Sequence, residues 1–147
     1  MGKPLLSSET IHASCVAVGG RAVLLAGRSG AGKSDLALRL IDRGAVLVSD
    51  DYTLVRRTAA GLLASPPATI AGQIEVRGLG VLPLPYLAEA PVALLIDLDQ
   101  PVSRMPADPL QSRLIAGVAV PLLALAALEA SAPYKVELAL ARFGLGA

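Results

Sequence analysis

The stretch "AVLLAGRSGAGKSDLALRLIDRG", residues 22–44, constrains this chain more than any other. An apolar, β-rich run leads into "GRSGAGKS", and that loop opens directly into a segment whose apolar residues recur with helical period. The spacing is G-x-x-x-x-G-K-[ST], set between a strand and a helix as the P-loop requires. Each part has a physical task. Gly27, Gly30 and Gly32 let the backbone of Arg28, Ser29 and Ala31 turn its N–H groups inward onto phosphate oxygens. The helix N-terminus adds a partial positive charge, Lys33 reaches the β- and γ-phosphates, and Ser34 offers a hydroxyl to Mg²⁺. Leu36, Ala37, Leu40 and Ile41 then share one helical face, and Gly44 is placed as the stop. A chance glycine-rich turn would carry the glycines without these flanks.

The remaining punctuation predicts an α/β domain with a mixed sheet. "CVAVGGRAVLLAG" reads as a hairpin about Gly19-Gly20, a pair that tolerates positive φ. "AVLVSD" is a short buried strand, "YTLVRR" and "GLLAS" a second hairpin, "GQIEVRGLGVLPL" a strand interrupted by glycines, and "VALLIDLD" another buried strand. "PLLALAALEAS" and "YKVELALARF" read as helices, the latter with Val136, Leu140 and Phe143 on one face. At 147 residues the chain is expected to be one domain, with no separate N-terminal regulatory domain. A net charge of +1 excludes a nucleic-acid footprint. The longest uncharged apolar run, Leu114 to Leu128, has 15 residues and contains Pro121, too short for a membrane span. "MGKPLLSSET" has no apolar secretion segment, and a lone cysteine, Cys15, forms no intrachain disulfide; a reducing cytoplasm fits best. There is no asparagine, so the guanine-reading Asn-Lys-x-Asp motif cannot exist.

Two carboxylates, Asp50 and Asp51, end the strand that follows the P-loop helix, Asp50 coming 17 residues after Lys33. A strand leaving that helix can run back beside the P-loop strand and end near the phosphates. One aspartate there can hold Mg²⁺ through water, and another can take a proton from an attacking hydroxyl. On spacing alone a solvated acidic turn fits equally well. Asp97 and Asp99 also end an apolar strand and compete for the metal role, with a turn before Pro101 as the plainer reading. His12, the single histidine, precedes a β-rich run in which Cys15 sits at a buried position.

Together these pieces resemble the HPr kinase/phosphorylase family, specifically its catalytic domain in the short form found in α-proteobacteria. The resemblance runs from His12 to Val81. "IHASCVAVGGRAVLL" resembles the family's opening histidine-bearing strand, "GRSGAGKSDLALRLIDRG" its P-loop, "LVSDD" its paired aspartates and "IEVRGLG" its signature. The resemblance implies a fold related to phosphoenolpyruvate carboxykinase. It implies an ATP- and Mg²⁺-dependent kinase acting on a serine of an HPr-like phosphocarrier protein, assembled as a homo-oligomer, a hexamer in the family. It further implies that Asp50 is the general base, with His12 beside it and beside the transferring phosphate. Asp51 would support the metal and phosphate, and Ser34 and Glu75 would ligate Mg²⁺. Gly27, Gly32 and Lys33 would cradle the nucleotide, and Arg77 would take a positioning role.

Downstream the pattern departs from the family. Where the family has a Pro-Gly-Arg-Asn segment that supports dephosphorylation, "VPLLALAALEASAPYKVELAL" keeps Pro121 but not the Gly-Arg-Asn part, for which Arg104 or Arg113 could stand in only by coincidence. That bears on the phosphorylase direction more than on the kinase direction. Two other functions remain open to a P-loop chain. A small-molecule kinase needs an arginine-rich lid, and Arg56-Arg57 on a hairpin is the only such pair. A non-catalytic nucleotide-binding regulator needs neither Asp50 nor His12.

Overall fold

The computed structural model describes residues 7–146. Residues 1–6, which open the stretch read above as free of a secretion segment, and residue 147 lie outside the described residues. In chain order the strands are β1 (Ser8–Ile11), β2 (Ala13–Val18), β3 (Arg21–Ala26), β4 (Val46–Ser49), β5 (Thr53–Thr58), β6 (Gly61–Ser65), β7 (Gln73–Val76), β8 (Gly80–Pro83), β9 (Ala90–Asp97), β10 (Ser112–Ile115) and β11 (Val118–Ala124). Helix α1 (Lys33–Asp42) follows β3, and α2 (Ala132–Phe143) follows β11.

Local chemistry sets the first unit. Gly19 and Gly20 have φ of 58° and 85°, the pair of positive values a two-residue hairpin turn demands, and they fold β2 back onto β3. Gly44, at φ 108°, ends α1, with its amide donating to Ile41 O and that of Ala45 to Leu40 O. The predicted face of α1 is the packed one: Leu36, Ala37 and Leu40 are buried and Ile41 packs against the same cluster.

The main sheet runs β1-β5-β6-β9-β3-β2-β4, with β11 pairing parallel to the C-terminal half of β9 and β10 antiparallel to β11. Strands β3 and β9 are parallel neighbours; most other pairs are antiparallel. Both faces are covered. Ala22, Leu24 and Leu95 point to one side, into a core with Val55, Leu62, Ile115 and Val120, where the sheet curls over itself. Val23, Leu25, Leu94 and Ile96 point to the other side, against α1 and α2. Burial on two faces is why β2, β3 and β9 read as unbroken apolar runs. Strands β7 and β8 form a separate small hairpin.

Two expectations change, and two strands arrive unpredicted. "PLLALAALEAS" is not a helix: Val118–Ala124 is β11, held by Leu122, Leu123 and Ala124 opposite Leu95, Ile96 and Asp97 of β9. Leucine and alanine favour helix only weakly, and a buried strand partner outweighs that preference. Strand β4 does not lie beside β3, because the tight β2–β3 hairpin occupies that edge; β4 takes the free edge of β2. It still runs parallel to β3, so both strands end at the same rim of the sheet. Strands β1 and β10 carry no pattern that predicted them. Among the described residues no helix is long and apolar enough to cross a membrane.

Candidate active site

Two chain segments bend side by side at one place. The chain passes from β1, paired with β5, through His12 into β2, paired with β3 and β4. It passes again from β4 through Asp50, Asp51 and Tyr52 into β5. Both crossings change sheet partners, so both expose side chains at the rim where the P-loop also ends. Thr53 Oγ1 donates to Ala13 O at 2.8 Å, and Ser49 Oγ donates to Tyr52 O, stapling the bends. The His12 ring stacks on Tyr52 with centroids 4.9 Å apart, and its Nε2 lies 3.0 Å from Asp51 Oδ1.

Asp51 has φ 66°, unusual for a residue with a side chain, and Tyr52 N donates to Asp50 O across it at 2.7 Å. That tight turn points the two carboxylates in different directions. Asp50 is buried, 7% exposed, and accepts from Ser34 Oγ at 2.6 Å, Ser14 Oγ at 2.9 Å and the Glu75 amide at 3.0 Å. Asp51 is half exposed and lies between His12 and Lys33, whose Nζ is 3.7 Å from its Oδ1. Lys33 itself is buried and donates to Gly27 O at 2.7 Å and Arg28 O at 3.0 Å, so the loop wraps its own ammonium.

The structure therefore brings together Lys33, Ser34, Asp50, Asp51 and His12. His12 contacts Asp51 rather than Asp50. Glu75 joins through its backbone; on β7 its neighbour Ile74 points into the core, so the Glu75 side chain lies on the opposite, exposed face. Asp99 braces the loop: its Oδ2 accepts from Arg28 N at 2.9 Å, while Asp97 accepts from Asp99 N and Gln100 Nε2. Gly27 and Gly32 are needed for close approach. A Cβ on Gly27 would lie 2.8 Å from Ala31 Cβ, and one on Gly32, at φ 98°, 3.0 Å from Ala127 Cβ. Among the described residues no three His, Cys, Asp or Glu side chains gather to hold a metal. A hydroxyl beside a carboxylate fits instead the habit of Mg²⁺, which takes one or two protein oxygens and completes its shell with water and phosphate. Cys15 is fully buried and its thiol is pushed far up by burial, so it is no nucleophile.

Sequence reasoning missed Ser14 and Tyr52. A serine inside an apolar strand was the available signal for Ser14: it is fully buried, and its one hydroxyl also accepts from Asp51 N at 3.0 Å. A cavity of about 330 Å³ opens beside the loop, lined by His12, Gly27, Arg28, Asp97, Asp99 and Arg113 among others.

Comparison with known proteins identifies the family. Residues 3–121 match the family described as HPr Serine kinase C-terminal domain. The HPr kinase/phosphorylase of Bordetella pertussis is 46% identical over 83 residues, 56% of this chain and 27% of that protein. The protein of the same description from Clostridium acetobutylicum is 38% identical over 103 residues, 65% of this chain and 34% of that one. The chain thus spans only about a quarter to a third of the length of these relatives. The Hpr(Ser) kinase/phosphatase structure from Coxiella burnetii superposes with a TM-score of 0.78 at 29% identity, covering 91% of this chain and 95% of that one. The P-loop, the paired aspartates and this likeness over most of the matched domain place the chain in the HPr Serine kinase C-terminal domain family.

Proposed function

We propose that this chain is an ATP-dependent protein kinase, working in the cytoplasm, that phosphorylates a serine of an HPr-like phosphocarrier protein. The observation that carries the reading is the convergence of Lys33, Asp51 and His12 beside the Ser34–Asp50 pair at one rim of the sheet. In the reaction the acceptor serine Oγ forms a bond to the γ-phosphorus of ATP, the bond from that phosphorus to the bridging oxygen breaks, and ADP leaves. Lys33 exchanges the carbonyls of Gly27 and Arg28 for phosphate oxygens. Ser34 and Asp50 would hold Mg²⁺, which would supply neutralising charge to the phosphates.

The proton of the serine needs an acceptor exposed at the rim. The resemblance assigned that part to Asp50 and metal support to Asp51. The hydrogen bonds favour the reverse: Asp50 is buried under three donors, whereas Asp51 is open and oriented by His12. Asp51 is the base, and the His12–Tyr52 stack holds its partner ring in place. The test is to incubate the protein with ATP, Mg²⁺ and the HPr homologue of the same organism and to weigh the intact HPr. A gain of one phosphate on serine, lost with Lys33→Ala, is expected. ATP binding with no gain would leave a nucleotide-binding regulator instead.

A further inference from the structure

We propose that Arg113 is a catalytic residue that grips the terminal phosphoryl group of the bound nucleotide from the side opposite the P-loop. The inference rests on the nucleotide site proposed above. Alternation along β10 puts Arg113 on the same face as Ile115, which is fully buried, while Leu114 between them points outward at 69% exposed. The cross-strand partner of Arg113 is Val120, also buried, and Leu122 on the same face lines the cavity. Arg113, itself exposed, thus shares the strand face of Ile115 and lines the cavity together with His12 and Gly27.

The guanidinium is not consumed by its surroundings. The two aspartates of the same cavity already accept from Arg28 N, Asp99 N and Gln100, and Arg113 pairs with no carboxylate among the described residues. Its wall is also fixed in place. The β10–β11 turn has positive φ at Ala116 and Gly117, 47° and 83°. Glu9 of β1 accepts the Ala116 amide at 2.5 Å, and the Arg57 guanidinium lies where a Cβ on Gly117 would come within 2.8 Å of it. Strand β1 ends one residue before His12, so the hairpin that carries Arg113 and the segment that carries His12 are tied together. A planar, always charged fork lining the same cavity as Gly27 and Arg28 of the loop is suited to the equatorial oxygens of a phosphoryl group in transfer. It makes the chemistry independent of charge from Lys33 alone.

The test compares Arg113→Gln and Arg113→Lys with the unaltered chain, first by calorimetric titration with ADP and with a non-hydrolysable ATP analogue, then by single-turnover transfer to HPr. For Arg113→Gln the triphosphate should bind about tenfold to a hundredfold more weakly, the size of one charge-assisted hydrogen bond, with ADP within about twofold. Transfer should slow by about 10²–10³-fold, with partial recovery in Arg113→Lys and on adding guanidine to Arg113→Ala. Equal loss of ADP and triphosphate affinity, or an unchanged ratio of the two, would overturn the assignment whether or not HPr is the acceptor. If the unaltered chain discriminates the two nucleotides through Arg113 but transfers nothing to HPr, the kinase reading fails and the arginine contact stands.

Discussion

Ser14 offers a sharp test of how the site is held. Its single hydroxyl donates to Asp50 Oδ1 at 2.9 Å and accepts from the Asp51 amide at 3.0 Å, in a position with no solvent exposure. Ser14→Ala removes both bonds and leaves the methyl group in their place. The Asp51 amide loses its partner, at a cost of roughly 1–3 kcal/mol for an unsatisfied buried donor. Asp50 keeps Ser34 and the Glu75 amide, so its loss is that of one hydrogen bond to a charged group, roughly 1.5–3 kcal/mol. One hydroxyl serves both, so the two figures overlap and the expected total is about 2–4 kcal/mol. For a domain of this size that lowers Tm by about 6–12 °C. Urea unfolding followed by circular dichroism, with a thermal scan alongside, measures it. The same substitution made on an Asp50→Ala background should cost about half as much, since only the Asp51 amide is then stranded. A loss under ~0.5 kcal/mol on the native background, or an undiminished loss on the Asp50→Ala background, would show that Ser14 does not tie the two aspartates together.

Other outcomes follow from the same geometry. Asp51→Asn keeps a residue type that tolerates positive φ, so the chain should fold and bind ADP normally while transfer falls by about 10²–10⁴-fold. Asp50→Asn should instead raise the Mg²⁺ concentration needed for half-maximal transfer; loss of transfer at every Mg²⁺ concentration, with Asp51→Asn active, would return the base to Asp50. Gly32→Ala places a Cβ at φ 98° and 3.0 Å from Ala127 Cβ. It should weaken ADP binding by about tenfold or more, the equivalent of the ~1–2 kcal/mol left-handed penalty, and calorimetry with wild-type affinity would contradict the close packing. The Arg43 guanidinium holds the Glu137 carboxyl below the usual carboxylate range, at 2.6 Å and 3.0 Å. A carboxyl lowered on folding adds stability above its unfolded pKa and loses it as pH falls through the folded one. The acid limb of an unfolding titration, below about pH 4.5, should therefore be shallower in Glu137→Gln. An identical limb would show that the pair adds nothing.

Relatedness bears on these tests in one way. The family match ends at residue 121, and past it lies the segment that departs from the family pattern. There the chain places Ala127 against Gly32 and ties the turn to α1 through Arg39, which donates to Asp35, Glu129 O and Ala127 O. This region thus supports the P-loop by packing and backbone hydrogen bonds.

The sequence by itself determined the strand–loop–helix unit, because its signals are local: glycines at fixed offsets, a helix face repeating every three to four residues, a Gly-Gly turn. It also named Lys33, Ser34, Asp50, Asp51 and His12. It did not determine which aspartate is buried, since Asp50 and Asp51 are adjacent and only the bend between β4 and β5, with φ 66° at Asp51, sends them apart. Ser14 was likewise hidden: it is an ordinary polar residue on a strand, and it acquires a task only when Asp50, 36 positions away, is folded beside it. "PLLALAALEAS" looked helical by composition, and only the open edge of β9 made part of it a strand. Local propensities are worth tenths of a kcal/mol per residue, whereas burying a leucine against a paired strand is worth about 1.5–3 kcal/mol, so where the two disagree the tertiary partner decides.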